Sequence, residues 1–196
     1  MKANKAGWFS GVRCVASPNC DSRPRGMAVE LLVIHNISLP PGEFGGDAIE
    51  RLFTNTLDTA SHPYYAQLAG LKVSSHFLIR RDGAIVQFVP CGKRAWHAGV
   101  SRWQGRERCN DFSIGIELEG SDDASFDARQ YASLVRLTRR LRRAYPLRAV
   151  AGHADIAPGR KTDPGPFFDW AGYLAALAGG GLLPLQRQLN EKDEKS

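Results

Sequence analysis

The run Leu31–Ile34 in "ELLVIHNI" is apolar at every position rather than at alternate ones. A strand with one face in water alternates, so a continuous run of this kind must be covered on both faces. It reads as a buried central strand, and it calls for a sheet with further layers on either side. The run ends in a polar pair, His35 and Asn36, followed by the loop "PPGEFGG".

The rest of the chain supplies those layers. "DAIERLFTNTL" has helical spacing through Ile49, Leu52 and Phe53. "SSHFLIRRDGAIVQFVP" contains two β-rich runs around Arg81-Asp82-Gly83, and an Asp-Gly turn between such runs predicts an antiparallel hairpin. "FSIGIELEG" reads as another strand, with Ile114, Ile116 and Leu118 on one side and Glu117 and Glu119 on the other. Asp127–Tyr145 is the strongest helical pattern, "LRAVAGH" a short last strand, and "DWAGYLAALAGG" a closing helix ended by glycine. The expected fold is therefore α/β (α+β): a mixed central β-sheet with helices on both faces. A single domain over residues 1–183 is expected, with 184–196 a charged, disordered tail.

At 196 residues the chain is long enough for one sizeable core, and its 43% hydrophobic and 23% charged residues are ordinary for a soluble protein. No segment has the length and apolarity of a signal peptide or a membrane span, so the expectation is a cytoplasmic protein with no membrane partner. Cys14, Cys20, Cys91 and Cys109 are widely spaced without a CxxC pair, which predicts free thiols rather than a zinc ribbon. The net charge of +6 raises the question of nucleic acid. Much of that excess lies on Arg136, Arg139, Arg140 and Arg143, one face of the long helix opposite Tyr131, Leu134, Val135 and Leu141. Without interleaved aromatics or a nucleic-acid motif this is a solvated helix face, and no nucleic-acid partner is expected.

Ligands of open α/β sheets collect where strands end in loops. His35, Glu117 and His153 lie near three such ends, and Lys161 and Asp163 lie on the loop leaving His153. Two histidines and a carboxylate form a complete protein set for a catalytic zinc, with a fourth position open. Residue types alone leave two choices undecided: Asp155 or Asp163 as ligand, and Glu117 or Glu119 as the acid–base group. His76 reads as structural in the sheet and His62 as a surface residue.

The stretches "VIHNISLPPGEFGG", "SSHFLIRRDGAIVQFVP", "RAWHAGVS", "GRERCNDFSIGIELEG" and "GHADIAPGRKTDPGPFFDW" together resemble the cytosolic 1,6-anhydro-N-acetylmuramyl-L-alanine amidases, a branch of the zinc-dependent N-acetylmuramoyl-L-alanine amidases. The resemblance runs from about Gly7 to Leu177. It implies one bound Zn2+ and hydrolysis of the amide between (1,6-anhydro-)N-acetylmuramic acid and L-alanine in muropeptides, as part of cell-wall recycling. Carried over position by position, it implies His35, His153 and Asp163 as zinc ligands, with Glu117 and Lys161 catalytic. Asn36, Lys72, Trp96, His97 and Arg108 would contact substrate. Ala154 stands where many relatives carry cysteine, and Lys72 where a relative carries arginine, which keeps the charge but loses the bidentate fork. The expected partner is a small muropeptide bound by a monomer. A binding module that does not cut, and a broad amidase of intact cell wall, are the rival readings.

Overall fold

The computed structural model describes residues 3–178 and 186–187. Its strands are β1 (Arg13–Cys14), β2 (Cys20–Ser22), β3 (Leu31–Ile37), β4 (Phe77–Ile79), β5 (Ile85–Gln87), β6 (Lys93–Ala95), β7 (Arg102–Trp103), β8 (Arg106–Glu107), β9 (Ser113–Glu119), β10 (Ala149–Gly152) and β11 (Gln186–Arg187). The α-helices are α1 (Ala48–Phe53), α2 (Ala128–Ala144), α3 (His153–Ile156) and α4 (Trp170–Ala178).

Seven strands form one mixed sheet in the order β1-β5-β4-β9-β3-β10-β11. The apolar run of β3 lies inside it, parallel to β9 on one side and β10 on the other. Leu31 to Ile34 are fully buried, as a strand covered on both faces requires. Even-numbered residues of β3 and β9 (Leu32, Ile34, Ile114, Ile116, Leu118) pack with Leu134, Leu137 and Leu141 of α2 and Tyr173 and Leu177 of α4. On the opposite face, Leu31 and Val33 pack with Trp103, Phe112, Ala149, Ala151 and Ile156. Ile49, Leu52 and Phe53 of α1 pack with Leu78 and Val86 of the hairpin. Burying each such side chain stabilises the fold by about 1.5–3 kcal/mol before entropy is counted.

The hairpin β4–β5 is antiparallel as expected. Its turn needs Gly83, whose φ is +83° and where a Cβ would sit 2.7 Å from Arg129 O. Other details depart from the sequence reading. Helix α1 has six residues and stops before "TNTL", because Thr54 Oγ1 bonds back to Glu50 O and Asn55 turns left-handed at φ 60°. The basic face of α2 is not wholly solvated: Arg139 is half-buried and donates to Ala176 O at 2.6 Å, placing a cation at the end of α4. Gln186 and Arg187, within the expected tail, extend the sheet beside β10; the rest of that tail lies outside the described residues. All four cysteines are free thiols.

A candidate metal centre and active site

Parallel strands bring their C-terminal ends to one edge, and this is where the polar groups gather. His35 of β3 pairs in register with Glu117 of β9. Both are odd-numbered, so both project from the face opposite α2 and α4. Strand β10 ends at Gly152 and passes directly into α3, whose first residue is His153. The loop after α3 returns Asp163 to the same point, anchored by Ala154 N donating to Asp163 O at 2.9 Å.

Three atoms converge there. His35 Nδ1 lies 3.0 Å from His153 Nδ1 and 3.0 Å from Asp163 Oδ2, and His153 Nδ1 lies 3.1 Å from the same carboxylate oxygen. His153 Nε2 faces the carbonyl of Ala98 at 3.0 Å. A carbonyl can only accept, so Nε2 carries a proton, and Nδ1 is the nitrogen left to present a lone pair. Three mutual contacts among one carboxylate oxygen and two ring nitrogens cannot all be hydrogen bonds. A shared cation satisfies all three at once. The edges of about 3 Å are slightly shorter than the roughly 3.3 Å separating the ligands of a tetrahedral zinc with bonds of about 2.0–2.1 Å. Two imidazoles and one carboxylate are also the donor set that suits this metal and leaves a fourth position open. These residues could therefore hold a metal ion.

The electrostatics agree with that chemistry. Burial lowers His35 to about 4, reinforced by His153 and opposed by Asp163, so its imidazole is neutral near pH 7. Burial alone would raise the Asp163 carboxyl, but the two imidazoles outweigh it and hold it below the usual carboxylate range. Burial pushes Glu117 well above that range, and the Asp163 charge adds to the effect against a smaller pull from Lys161. Glu117 Oε2 is buried with no hydrogen-bond partner among the described residues.

The two open choices can now be compared. Asp155 is taken up by the chain itself, accepting from Gly152 N at 2.7 Å to close the start of α3. Glu119 accepts from Gly45 N at 2.7 Å, Arg81 N at 3.0 Å and Arg80 Nη1 at 3.0 Å. Asp163 and Glu117 are the carboxylates that face the cluster.

A cavity of about 690 Å³ opens over these groups, lined by His35, Asn36, Trp96, His97, Glu117, His153, Lys161 and Asp163 among others. Its size is that of a small-molecule site. Asn36 donates to Asp122 Oδ1 at 2.7 Å. His97 lines the cavity, but both its ring nitrogens are engaged, with His35 Nε2 at 2.9 Å and Ser113 Oγ at 3.1 Å. Lys72 and Arg108 are not brought to this cavity. Lys72 lines a smaller one of about 160 Å³ that shares Leu52, Leu68 and Leu71 with it. Arg108 is 70% exposed, 3.5 Å from Asp111. His76 is structural: its Nδ1 accepts from Gly115 N at 3.1 Å, and Nε2 faces Lys93 O. Sequence reasoning missed Asp122, Asn110 and Ser113, short polar residues with no signal of their own.

The family model described as N-acetylmuramoyl-L-alanine amidase matches residues 25–166. The chain is 60% identical over 174 residues to the 1,6-anhydro-N-acetylmuramyl-L-alanine amidase AmpD of Escherichia coli strain K12, spanning 88% of this chain and 95% of that protein. It matches the crystal structure of a selenomethionine AmpD derivative with a TM-score of 0.87 and 57% identity, over 90% of this chain and 99% of that one. It also matches the Escherichia coli amidase AmiD, solved with the substrate anhydro-N-acetylmuramic acid-L-Ala-D-gamma-Glu-L-Lys, at a TM-score of 0.57 and 32% identity over 79% of this chain and 60% of that one. A buried carboxylate and a metal-competent triad at the strand ends of this fold thus belong to an enzyme, and the chain is a member of the N-acetylmuramoyl-L-alanine amidase family.

Proposed function

We propose that this enzyme hydrolyses the amide joining (1,6-anhydro-)N-acetylmuramic acid to L-alanine in muropeptides, during cell-wall recycling, with Zn2+ held by His35 Nδ1, His153 Nδ1 and Asp163 Oδ2. The observation that carries this reading is the convergence of those three atoms in one cavity with a buried Glu117 oxygen that has no hydrogen-bond partner among the described residues. When bound, zinc supplies Lewis acidity, polarising a carbonyl and acidifying water.

The chain's own residues do the rest. Glu117 has an oxygen free to accept a proton and a raised affinity for it, so it takes the proton of the attacking water and then delivers it to the departing nitrogen of L-alanine. Water adds across the bond, leaving a carboxylic acid on the lactyl group and a free peptide amine. Lys161, exposed on the loop between α3 and Asp163, places its charge beside the oxyanion that forms; comparable donors elsewhere contribute about 2.7–4 kcal/mol. Asn36 and Trp96 line the cavity and contact the substrate. Lys72 and Arg108 lie outside the cavity, as cations suited to the stem-peptide carboxylates of a substrate that extends beyond it. The enzyme acts as a cytoplasmic monomer. Among the described residues no helix is long and apolar enough to cross a membrane.

The test is product analysis. With 1,6-anhydro-N-acetylmuramyl-tripeptide and its reducing-end counterpart offered separately, mass spectrometry should find free tripeptide and intact sugar, with the anhydro compound preferred. Equal rates would remove the anhydro preference, and cleavage at any other bond would overturn the assignment.

A further inference from the structure

His97 and Ala98 are neighbours in the chain, and each addresses a different histidine of the triad. The Ala98 carbonyl faces His153 Nε2 at 3.0 Å, while the His97 ring meets His35 Nε2 at 2.9 Å. Both backbone N–H groups of this dipeptide donate to one atom, Asn110 Oδ1, at 3.2 and 2.9 Å. Arg160 Nη2 also donates to Ala98 O, at 2.7 Å, which fixes that carbonyl further. The His97 ring occupies the space above Gly115, where a Cβ would lie 2.6 Å from its Cγ. Glycine on β9, between Ser113 and Glu117, is what lets the ring lie there.

The proton directions follow. For His35 to offer a lone pair at Nδ1, its neutral ring must carry the proton on Nε2, and that N–H then donates to His97 Nδ1. His97 is thereby fixed as the Nε2–H tautomer, and donates in turn to Ser113 Oγ at 3.1 Å. Histidines that bind metals generally depend on such partners to hold tautomer and ring orientation.

We propose that His97–Ala98, pinned by Asn110, is a single positioning element that orients both histidines of the triad, and that His97 serves as a positioning residue for His35. This rests on the zinc reading above and deepens it. Because both ring nitrogens of His97 are committed, its substitution acts first on the metal site rather than on substrate recognition.

The experiment has two readouts that do not depend on turnover. Zinc affinity is measured by competition with a chromophoric chelator for the wild type, His97→Gln and His97→Phe, with circular dichroism to confirm folding. Nitrogen-15 NMR of the imidazoles assigns the tautomers in zinc-loaded wild type. His97→Phe should weaken zinc binding about 10–100-fold, the range typical of lost outer partners. His97→Gln, whose amide can accept from His35 and donate to Ser113, should stay within a few-fold of wild type. His35, His97 and His153 should all carry protons on Nε2. Unchanged affinity in folded His97→Phe, or an Nδ1–H tautomer at His97, overturns the proposal. Should His97→Phe fail to fold, the wild-type tautomers decide. Wild type that binds no zinc sinks the underlying metal reading, a result distinct from either.

Discussion

Glu117 and Glu119 stand two residues apart on one face of β9, yet their surroundings give them opposite parts. Glu119 accepts from Arg80, Arg81 N and Gly45 N, whereas Glu117 keeps a buried oxygen with no partner among the described residues. Glu117→Gln should therefore cut kcat by about 10²–10⁴-fold, the usual contribution of a general acid–base group, with zinc retained. Glu119→Gln should lower stability, seen as a reduced urea midpoint, while the folded fraction keeps its turnover. The reverse pattern would exchange their roles. Strand alternation could show that both carboxylates share a face but not which was free, because their partners come from residues far away in the chain. The same holds for Asp155 and Asp163. Each follows His153 closely, and what separates them is the backbone N–H of Gly152, which claims Asp155.

At the scale of elements, the central strand, the hairpin and the long helix were legible because each carries its own periodicity or turn chemistry. The start of α2 shows how local and distant requirements combine. Asp127 accepts from Arg129 N at 2.9 Å, and Gln130 accepts from Asp127 N at 3.0 Å, a capping box. Gln130 is also fully buried and donates to Ile79 O and Glu119 O, tying the helix to two strands. Asp127→Ala should cost about 1 kcal/mol, as cap removals do. Gln130→Met should cost more, about 2–4 kcal/mol, since it strands several buried polar groups at about 1–3 kcal/mol each. Chemical denaturation of both variants checks the ranking, and equal losses would reduce Gln130 to a cap. The tie between Arg139 and α4 was not legible, since it depends on where the chain goes next. The early end of α1 was hidden because the helical spacing of Ile49, Leu52 and Phe53 does not register the local turn made by Thr54 and Asn55.

For the whole molecule, the parallel pairing of β3, β9 and β10 sets the site's position, and its chemistry leaves a mark on stability. His35 and His76 are lowered by burial to about 4 and about 3, against an unfolded value of about 6.5. Between those values the unfolded chain binds more protons than the folded one, so stability rises with pH there. Metal-free protein should accordingly show a falling urea midpoint as pH drops from about 6.5 towards 4.5, more shallowly in His76→Asn. A flat profile would mean these histidines are not buried neutral. The measurement that bears most directly on the central claim is zinc content and amide hydrolysis, taken together for the purified, chelated and zinc-restored enzyme, with Asp163→Asn and Asp155→Asn alongside. The account predicts one zinc per chain, activity lost on chelation and regained with zinc, both lost in Asp163→Asn and both kept in Asp155→Asn. Full activity in metal-free protein, or loss of zinc from Asp155→Asn rather than Asp163→Asn, would contradict it.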